Sequence, residues 1–378
     1  MPSAKSIPAT LIQQGEWFMR ICNACRYCEG YCAVFPALER RLTFTESDLN
    51  YLANLCHNCG SCYDACQYAP PHEFKLNFPR ALAEIRGATY QKYAWPDFLA
   101  GLYRKNSLAV SLITAVSLAL FLIGMTALAG PSLLLSAHTD GEGAFYAVLS
   151  HNAMVLVFGA VSLCVLTAFV MGFVRFWRDT GEAFSVFLNP TALWRAAKDV
   201  LRLKNLDGGG EGCIHPDEQP SFARRRFHHL TFYGFLLCFA ATSVAALYDY
   251  VFGWPAPYPF WSLPVLLGTA GGAGLLIGPV GLLWLKRKRS PVMSDPEQAG
   301  MDIGFLVLLF LTSLTGLVLL FLRETPAMGI LLALHLGMVL GLFLTMPYGK
   351  FAHAIYRSAA LVRYAVEESR PMPKLAPD

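Results

Sequence analysis

Charge is what this chain has least of. Only 15% of its 378 residues are Asp, Glu, Lys or Arg, while 55% are hydrophobic, a balance too apolar for two soluble domains of that combined length. The small net charge of +4 comes from Lys/Arg clusters between apolar runs, so it needs no nucleic-acid footprint and reports topology instead. Residues 1–10 contain neither an apolar core segment nor a small-residue cleavage site, so nothing there marks export. The cysteines are therefore expected to face a reducing cytoplasm, which excludes a disulfide framework.

Long uncharged runs are plentiful. They span 108–129, 152–174, 230–248, 260–285, 303–322 and 325–349, each sufficient for the ~20 helical residues that cross a hydrocarbon core. Loop charges orient them. The segment 175–226 carries nine Lys/Arg and Lys286-Arg287-Lys288-Arg289 adds four, whereas 130–151 and 249–259 carry none. The positive-inside rule then places both basic segments, the N-terminal region and the C-terminal tail with Lys350, Arg357 and Arg363 in the cytoplasm. The resulting division is a cytoplasmic domain over 1–106, a six-helix transmembrane bundle over 107–365 with a cytoplasmic loop at 175–227, and a cytoplasmic tail over 366–378. The fold class expected is all-α.

Eight of the eleven cysteines form two identical runs, Cys22-x2-Cys25-x2-Cys28-x3-Cys32 and Cys56-x2-Cys59-x2-Cys62-x3-Cys66. Three thiolates at two-residue gaps wrap one face of a [4Fe–4S] cubane in a tight loop, and in the two-cluster arrangement the last Cys of each run ligates the other cluster. One cluster is thus assigned Cys22, Cys25, Cys28 and Cys66, the other Cys56, Cys59, Cys62 and Cys32. Four-thiolate zinc sites instead pair Cys-x2-Cys units across a longer spacer. Ala33 and Gln67 stand where ferredoxin runs often have Pro. Between the runs, Thr45 and Glu46-Ser47-Asp48 supply capping residues, and Leu49, Leu52 and Leu55 recur at helical intervals. These features point to an α-helical ferredoxin-like domain. His57, beside a ligand, reads as a solvated loop histidine, with a hydrogen bond to the cluster as the alternative.

Histidines at the membrane are the other candidates. His335 and His353 lie 18 residues apart, five turns of a continuous helix, which would put both on one face ~27 Å apart. Matching depth pairs His228 or His229 with His353, and His151 with His335, as ligands of one or two b-type haems, and the electron path is drawn through a haem at His229 and His353. Arg224, Arg225 and Arg226 are positive-inside anchors or propionate partners. Several features read blandly. The Gly208-Gly209-Gly210 run is flexible connection, and Gly271, Gly272, Gly274 and Gly278 allow close helix approach. Tyr248, Tyr250, Trp254 and Tyr258 anchor a boundary. Cys164 and Cys238 are core thiols, and Cys213-Ile214-His215 lacks the spacing of a closed metal site.

The run Cys25-Arg26-Tyr27-Cys28-Glu29-Gly30-Tyr31-Cys32-Ala33-Val34-Phe35-Pro36, together with Cys56-His57-Asn58-Cys59-Gly60-Ser61-Cys62-Tyr63-Asp64-Ala65-Cys66 and Phe227-His228-His229-Leu230-Thr231-Phe232-Tyr233-Gly234-Phe235, closely resembles the tricarballylate (citrate) utilization protein B family along essentially the whole chain. The membrane half is similar to the cytochrome subunit of respiratory nitrate reductase, although position 239 is Phe where a second histidine companion to His229 would stand. The resemblance implies an electron-transfer subunit in a bacterial inner membrane. Its partner would be an FAD-containing dehydrogenase similar to tricarballylate dehydrogenase, with electrons passing to membrane quinone. The chain has no dinucleotide fingerprint of its own, so the flavin would belong to that partner. Two other classes compete: a redox-sensing or structural membrane anchor, and a tricarboxylate transporter, which the lack of Lys or Arg inside the spans disfavours.

Overall fold

Helices in the first hundred residues start and stop on local signals. The structure, a computed structural model, describes residues 7–138, 143–214 and 219–372. His215 and residues 1–6, 139–142 and 373–378, which figure in the readings above, lie outside the described residues. Helix α1 (Ala9–Cys25) buries Gly15, Phe18 and Met19, and it ends where Arg26 turns left-handed at φ 57°. After α2 (Val34–Leu38), helix α3 (Glu46–Leu55) is closed by a capping box: the Asp48 amide donates to Thr45 Oγ1 at 3.2 Å and the Thr45 amide donates to Asp48 Oδ2 at 3.2 Å. This reciprocal pair satisfies two of the four donors a helix N-terminus leaves open. Leu49, Leu52 and Leu55 are all fully buried. A short α4 (Ser61–Asp64) and α5 (Phe78–Tyr93), capped by Asn77, complete this part.

The remaining chain is almost entirely helical. It runs through α6 (Asn106–Ala129), the short α7 (Pro131–Leu134) and α8 (Ala144–Val148), α9 (His151–Asp179), α10 (Pro190–Arg202), α11 (Ala223–Phe252), α12 (Leu263–Lys288), α13 (Ala299–Leu322), α14 (Met328–Thr345) and α15 (Ala352–Ser369). Cys213–Ile214 (β1) pairs antiparallel with Pro220–Ser221 (β2), the single sheet among the described residues. Six helices, α6, α9, α11, α12, α13 and α14, are long and apolar enough to cross a membrane. The chain is therefore an all-α, multi-pass membrane protein whose six-helix bundle follows an α-helical N-terminal module.

Glycine lets two of these helices touch backbone to backbone. A Cβ on Gly271 of α12 would stand 2.7 Å from the Gly234 carbonyl oxygen and 2.8 Å from the Cys238 amide of α11. Such close approach replaces the hydrophobic drive that is absent between helices in lipid. Of the two lone thiols in the spans, Cys238 lies in this seam while Cys164 is exposed on the outside of α9. At the far end, Tyr248 packs edge-on against Trp254 and Tyr258 at 5.2 and 5.5 Å between centroids.

Packing divides the molecule differently from hydropathy. One core joins α1, α2, α3 and α5 to Phe176 and Trp177 at the end of α9, Ala192 and Ala196 of α10, and Ala352, Tyr356, Ala359 and Ala360 of α15. Tyr51 donates to Glu367 at 2.9 Å, and Arg41 bridges Asp48 at 2.7 Å while also pairing with Glu367. Helix α15 therefore seals the N-terminal module rather than extending the bundle. The continuous helix expected from His335 to His353 is likewise interrupted. Helix α14 stops at Thr345, a 3-10 turn covers Met346–Tyr348, and α15 starts at Ala352. Pro347 has no amide to continue the ladder, so the two histidines do not share one helical face.

The glycine seam generates the first test. Gly271→Leu should prevent the α11–α12 approach and cost about 1–3 kcal/mol, as overpacking of a close interface does. The expected outcome is a lowered thermal midpoint and reduced yield in detergent; an unchanged midpoint would contradict the seam.

Candidate metal centre

The last turn of α1 delivers Cys22 and Cys25, and the left-handed Arg26 swings the chain so that Cys28 returns toward them. Cys22, Cys25, Cys28, Cys62 and Cys66 line one cavity together with Ile21, Phe35, Leu76 and Phe78. Burial pushes the Cys22 thiol up, and the groups adding to that are Cys66, Cys28 and Cys25. Cys28 is likewise pushed up to about 12, by burial first and Cys66 next. Burial also raises Cys32 and Cys62, and the groups adding to that are first Cys59 and Cys56 in both cases. Cys66 thus lines the same cavity as Cys22, Cys25 and Cys28, as does Cys62 of its own run.

The donor set fits iron–sulfur clusters better than isolated ions. Among the described residues, no three His, Cys, Asp or Glu side chains converge tightly enough to hold one metal ion. A four-thiolate zinc site would need that convergence, with bonds of ~2.3 Å. Sulfurs spread around a cavity suit a cubane, whose iron corners stand apart.

The second run begins where α3 ends, and its loop turns on two left-handed residues, Asn58 (φ 54°) and Gly60 (φ 97°). The Asn58 amide donates to Cys56 Sγ at 3.3 Å. Four arginines from separate parts of the chain converge on this loop. Arg86 of α5 donates to the carbonyls of Ala53 (3.1 Å) and Cys56 (2.9 Å), and Arg357 of α15 to those of Cys56 (2.8 Å) and Asn54 (3.2 Å). Arg224 of α11 donates to the carbonyls of Asn58 (2.5 Å) and His57 (3.0 Å), while Arg289, just past α12, donates to Asn58 Oδ1 at 2.5 Å. Sequence reasoning gave none of the four this role, because no local pattern connects them.

Two readings change here. His57 is not solvated: it is 8% exposed, its Nδ1 donates to the Leu55 carbonyl at 2.9 Å, and burial together with Arg357 holds it well below the usual histidine range. Nor is the glycine run a free connection. Ser61 Oγ donates to the Gly212 carbonyl at 3.3 Å, the Ala33 amide donates to Asn205 Oδ1 at 3.2 Å, and Leu203, Leu206 and Cys213 pack on Cys59. A Cβ on Gly208 would sit 1.9 Å from the Gly212 oxygen, so the tight fold of this cover requires glycine.

Of the histidines, His228 and His353 are brought together, with ring centroids 6.2 Å apart and planes at 81°. Two imidazoles on opposite sides of one metal, with bonds of ~2 Å, place their centroids about 6 Å apart, which is the spacing of this pair. His228 Nδ1 is buried without a partner. His229 points elsewhere, beside Tyr233 at 5.8 Å, because neighbours on a helix are ~100° apart and only one can face α15. The outer pair is not brought together. His151 Nε2 lies 3.3 Å from Asp249 Oδ2 and 3.2 Å from the Tyr250 hydroxyl, whereas His335 Nδ1 lies 3.2 Å from Thr315 Oγ1 on α13. Each ring has its own partners, and the two are not joined.

Comparison with known proteins follows the same two parts. A family model described as "Citrate utilization protein B Fer4-like domain" matches residues 16–92, and one described as "Citrate utilization protein B" matches residues 101–374. A curated protein of Escherichia coli, "Citrate utilization protein B", is 54% identical over 356 residues, which is 94% of this chain and 92% of that protein. No solved structure matches.

The grouping of sulfurs has a direct spectroscopic consequence. In anaerobically purified, reduced protein, Cys66→Ser should remove the same paramagnetic signal as Cys22→Ser, and Cys32→Ser the same signal as Cys59→Ser. Loss grouped by run, with Cys66→Ser matching Cys59→Ser, would refute the crossed arrangement.

Proposed function

Because the chain belongs to the citrate utilization protein B family, we propose that it reoxidises the reduced FAD of a tricarballylate dehydrogenase-like partner and delivers the electrons to quinone in the bacterial cytoplasmic membrane. An iron–sulfur electron-transfer role follows from its Fer4-like domain. Two [4Fe–4S] clusters and one haem b would supply single-electron chemistry, which divides the two-electron output of a flavin. The partner, the haem and the quinone belong to this reading, as does the placement of both termini in the cytoplasm. No second haem is proposed.

The observation that carries the reading is the contact between the second cysteine loop and the two helices bearing the paired histidines. Arg224 stands one turn before His228 and Arg357 one turn after His353, and both arginines bond carbonyls between Asn54 and Asn58. Thiolate loop and histidine pair are therefore built as neighbours. The remaining residues ligate, orient and insulate. Leu203, Leu206 and Cys213 and the shared core around α15 keep water away from the second loop, and Gln67 Nε2 reaches Cys25 Sγ at 3.7 Å on the more open side.

Reduced-minus-oxidised spectra of the purified full chain test this. A b-type signal that disappears in His228→Ala and in His353→Ala but survives in His229→Ala, with iron content retained, is expected. Turnover between reduced flavoprotein and a quinone analogue should fall at least tenfold in the first two variants. A redox-silent protein would instead indicate a structural anchor.

A further inference from the structure

The four arginines around the second cysteine loop lack anions. Elsewhere this chain pairs its buried cations with carboxylates: Arg41 with Asp48 and Glu367, and Lys286 and Lys350 with Asp302 at 2.6 and 2.7 Å. Among the described residues, no ion pair joins Arg86, Arg224, Arg289 or Arg357 to a carboxylate. They donate instead to the carbonyls of 53–58 and to the Asn58 side chain, and Arg289 Nε is buried with no partner at all. Burial pulls Arg289 and Arg357 down to about 10, and the groups that oppose it include Cys59, Cys213 and Cys56 for Arg289 and Tyr90 and Cys56 for Arg357. Arg86 is buried and Arg224, Arg289 and Arg357 are half-buried; charge drawn out of water without a counter-charge is costly, so a site that gathers four such cations is built for an anion.

We propose that Arg86, Arg224, Arg289 and Arg357 are the counter-charge of the cluster bound by Cys56, Cys59, Cys62 and Cys32. They give it a higher reduction potential than the cluster bound by Cys22, Cys25, Cys28 and Cys66. This rests on the two-cluster reading above. Four thiolates make a cubane site anionic, and an added electron makes it more so; cations nearby at low dielectric favour the reduced form. Among the described residues, the first set has no such cage. Its flanking charges, Arg26 and Glu29, are opposite in sign and solvent-exposed, and Arg26 Nε is spent on the Asn23 carbonyl at 3.1 Å, so both are screened. One electron leaves the Cys22 set and arrives at the Cys56 set, with no proton and no bond moved. The reductant is the partner's flavin. The arginines are positioning residues that set direction, from the open side of the module toward the histidine pair.

A potentiometric titration followed by electron paramagnetic resonance, on the full chain in detergent, tests the order. Two signals are expected, with the one lost in Cys59→Ser appearing at the higher potential. Arg357→Gln should lower that midpoint by about 59 mV, a tenfold change in a one-electron equilibrium, and leave the other signal in place, while Arg357→Lys restores it. Arg289→Gln, at a helix end and bonded only to a side chain, provides the same measurement if Arg357→Gln does not fold. Potentials in the reverse order, or a glutamine variant that moves neither signal, overturn the arginine proposal alone. Fewer than about eight irons per chain, the content of two cubanes, overturns the two-cluster reading and this inference with it.

Discussion

The grip of Arg86, Arg224 and Arg357 on the backbone carbonyls between Ala53 and Asn58 is the contact on which the rest of the site depends. Hydrogen bonds from a charged donor contribute about 1.5–3 kcal/mol each, and these three side chains make six of them. Together they are comparable to the whole stability margin of a domain. Their strength matters less than their origin. Helices α5, α11 and α15 are far apart in sequence, and each reaches the same six-residue segment. A loop that turns through two left-handed residues has little order of its own, so it takes its shape from those donors.

Because α11 and α15 also carry His228 and His353, the grip transmits position. In each helix the arginine and the histidine are four residues apart, on one face and one turn away from each other. Moving the cysteine loop would move the arginines and, through rigid helices, the histidines. The seam between α11 and α12 stiffens this further, since Gly234, Gly271, Gly274 and Gly278 bring the two backbones into contact. A scaffold that ties the cysteine loop and the histidine pair to common helices fixes their separation without a lid or a hinge.

Much of this architecture was legible in the sequence, and the part that was not has a common cause. Six spans and two cysteine runs are local signals: twenty apolar residues in a row, or ligands at two-residue gaps, report themselves without any knowledge of neighbours. The capping box at Thr45 and Asp48 is equally local. What escaped depends on contacts between distant segments. His57 looks solvated until Arg224 and Arg357 close over it, and Gly208-Gly209-Gly210 looks like a linker until Ser61 and Tyr31 pack against it. Helix α15 reads as the end of a bundle, yet its alanines and Tyr356 complete the core of the N-terminal module. The choice between His228 and His229 turned on ~100° of helix rotation, which periodicity alone does not resolve for adjacent residues.

The break between α14 and α15 shows how a departure from regular helix serves the site. An unbroken α-helix would have hydrogen-bonded the Lys350 carbonyl to the amide four residues on. In the link that follows Pro347 it accepts from the His353 amide at 3.1 Å and also faces His353 Nδ1, and since a carbonyl only accepts, Nδ1 must carry the proton. Nε2 is then the lone-pair nitrogen of the ring, the tautomer a metal ligand requires. Lys350 is itself fixed, because its ammonium lies 2.7 Å from Asp302, which also holds Lys286 at 2.6 Å. The ion triad ties α12, α13 and the link together at the end of the spans nearest the cysteine module. A carboxylate between two lysines at that depth costs desolvation, and the return is a histidine held in one tautomer opposite His228. Proline, buried ion pairs and an interrupted helix each look like a liability taken singly; together they orient one nitrogen.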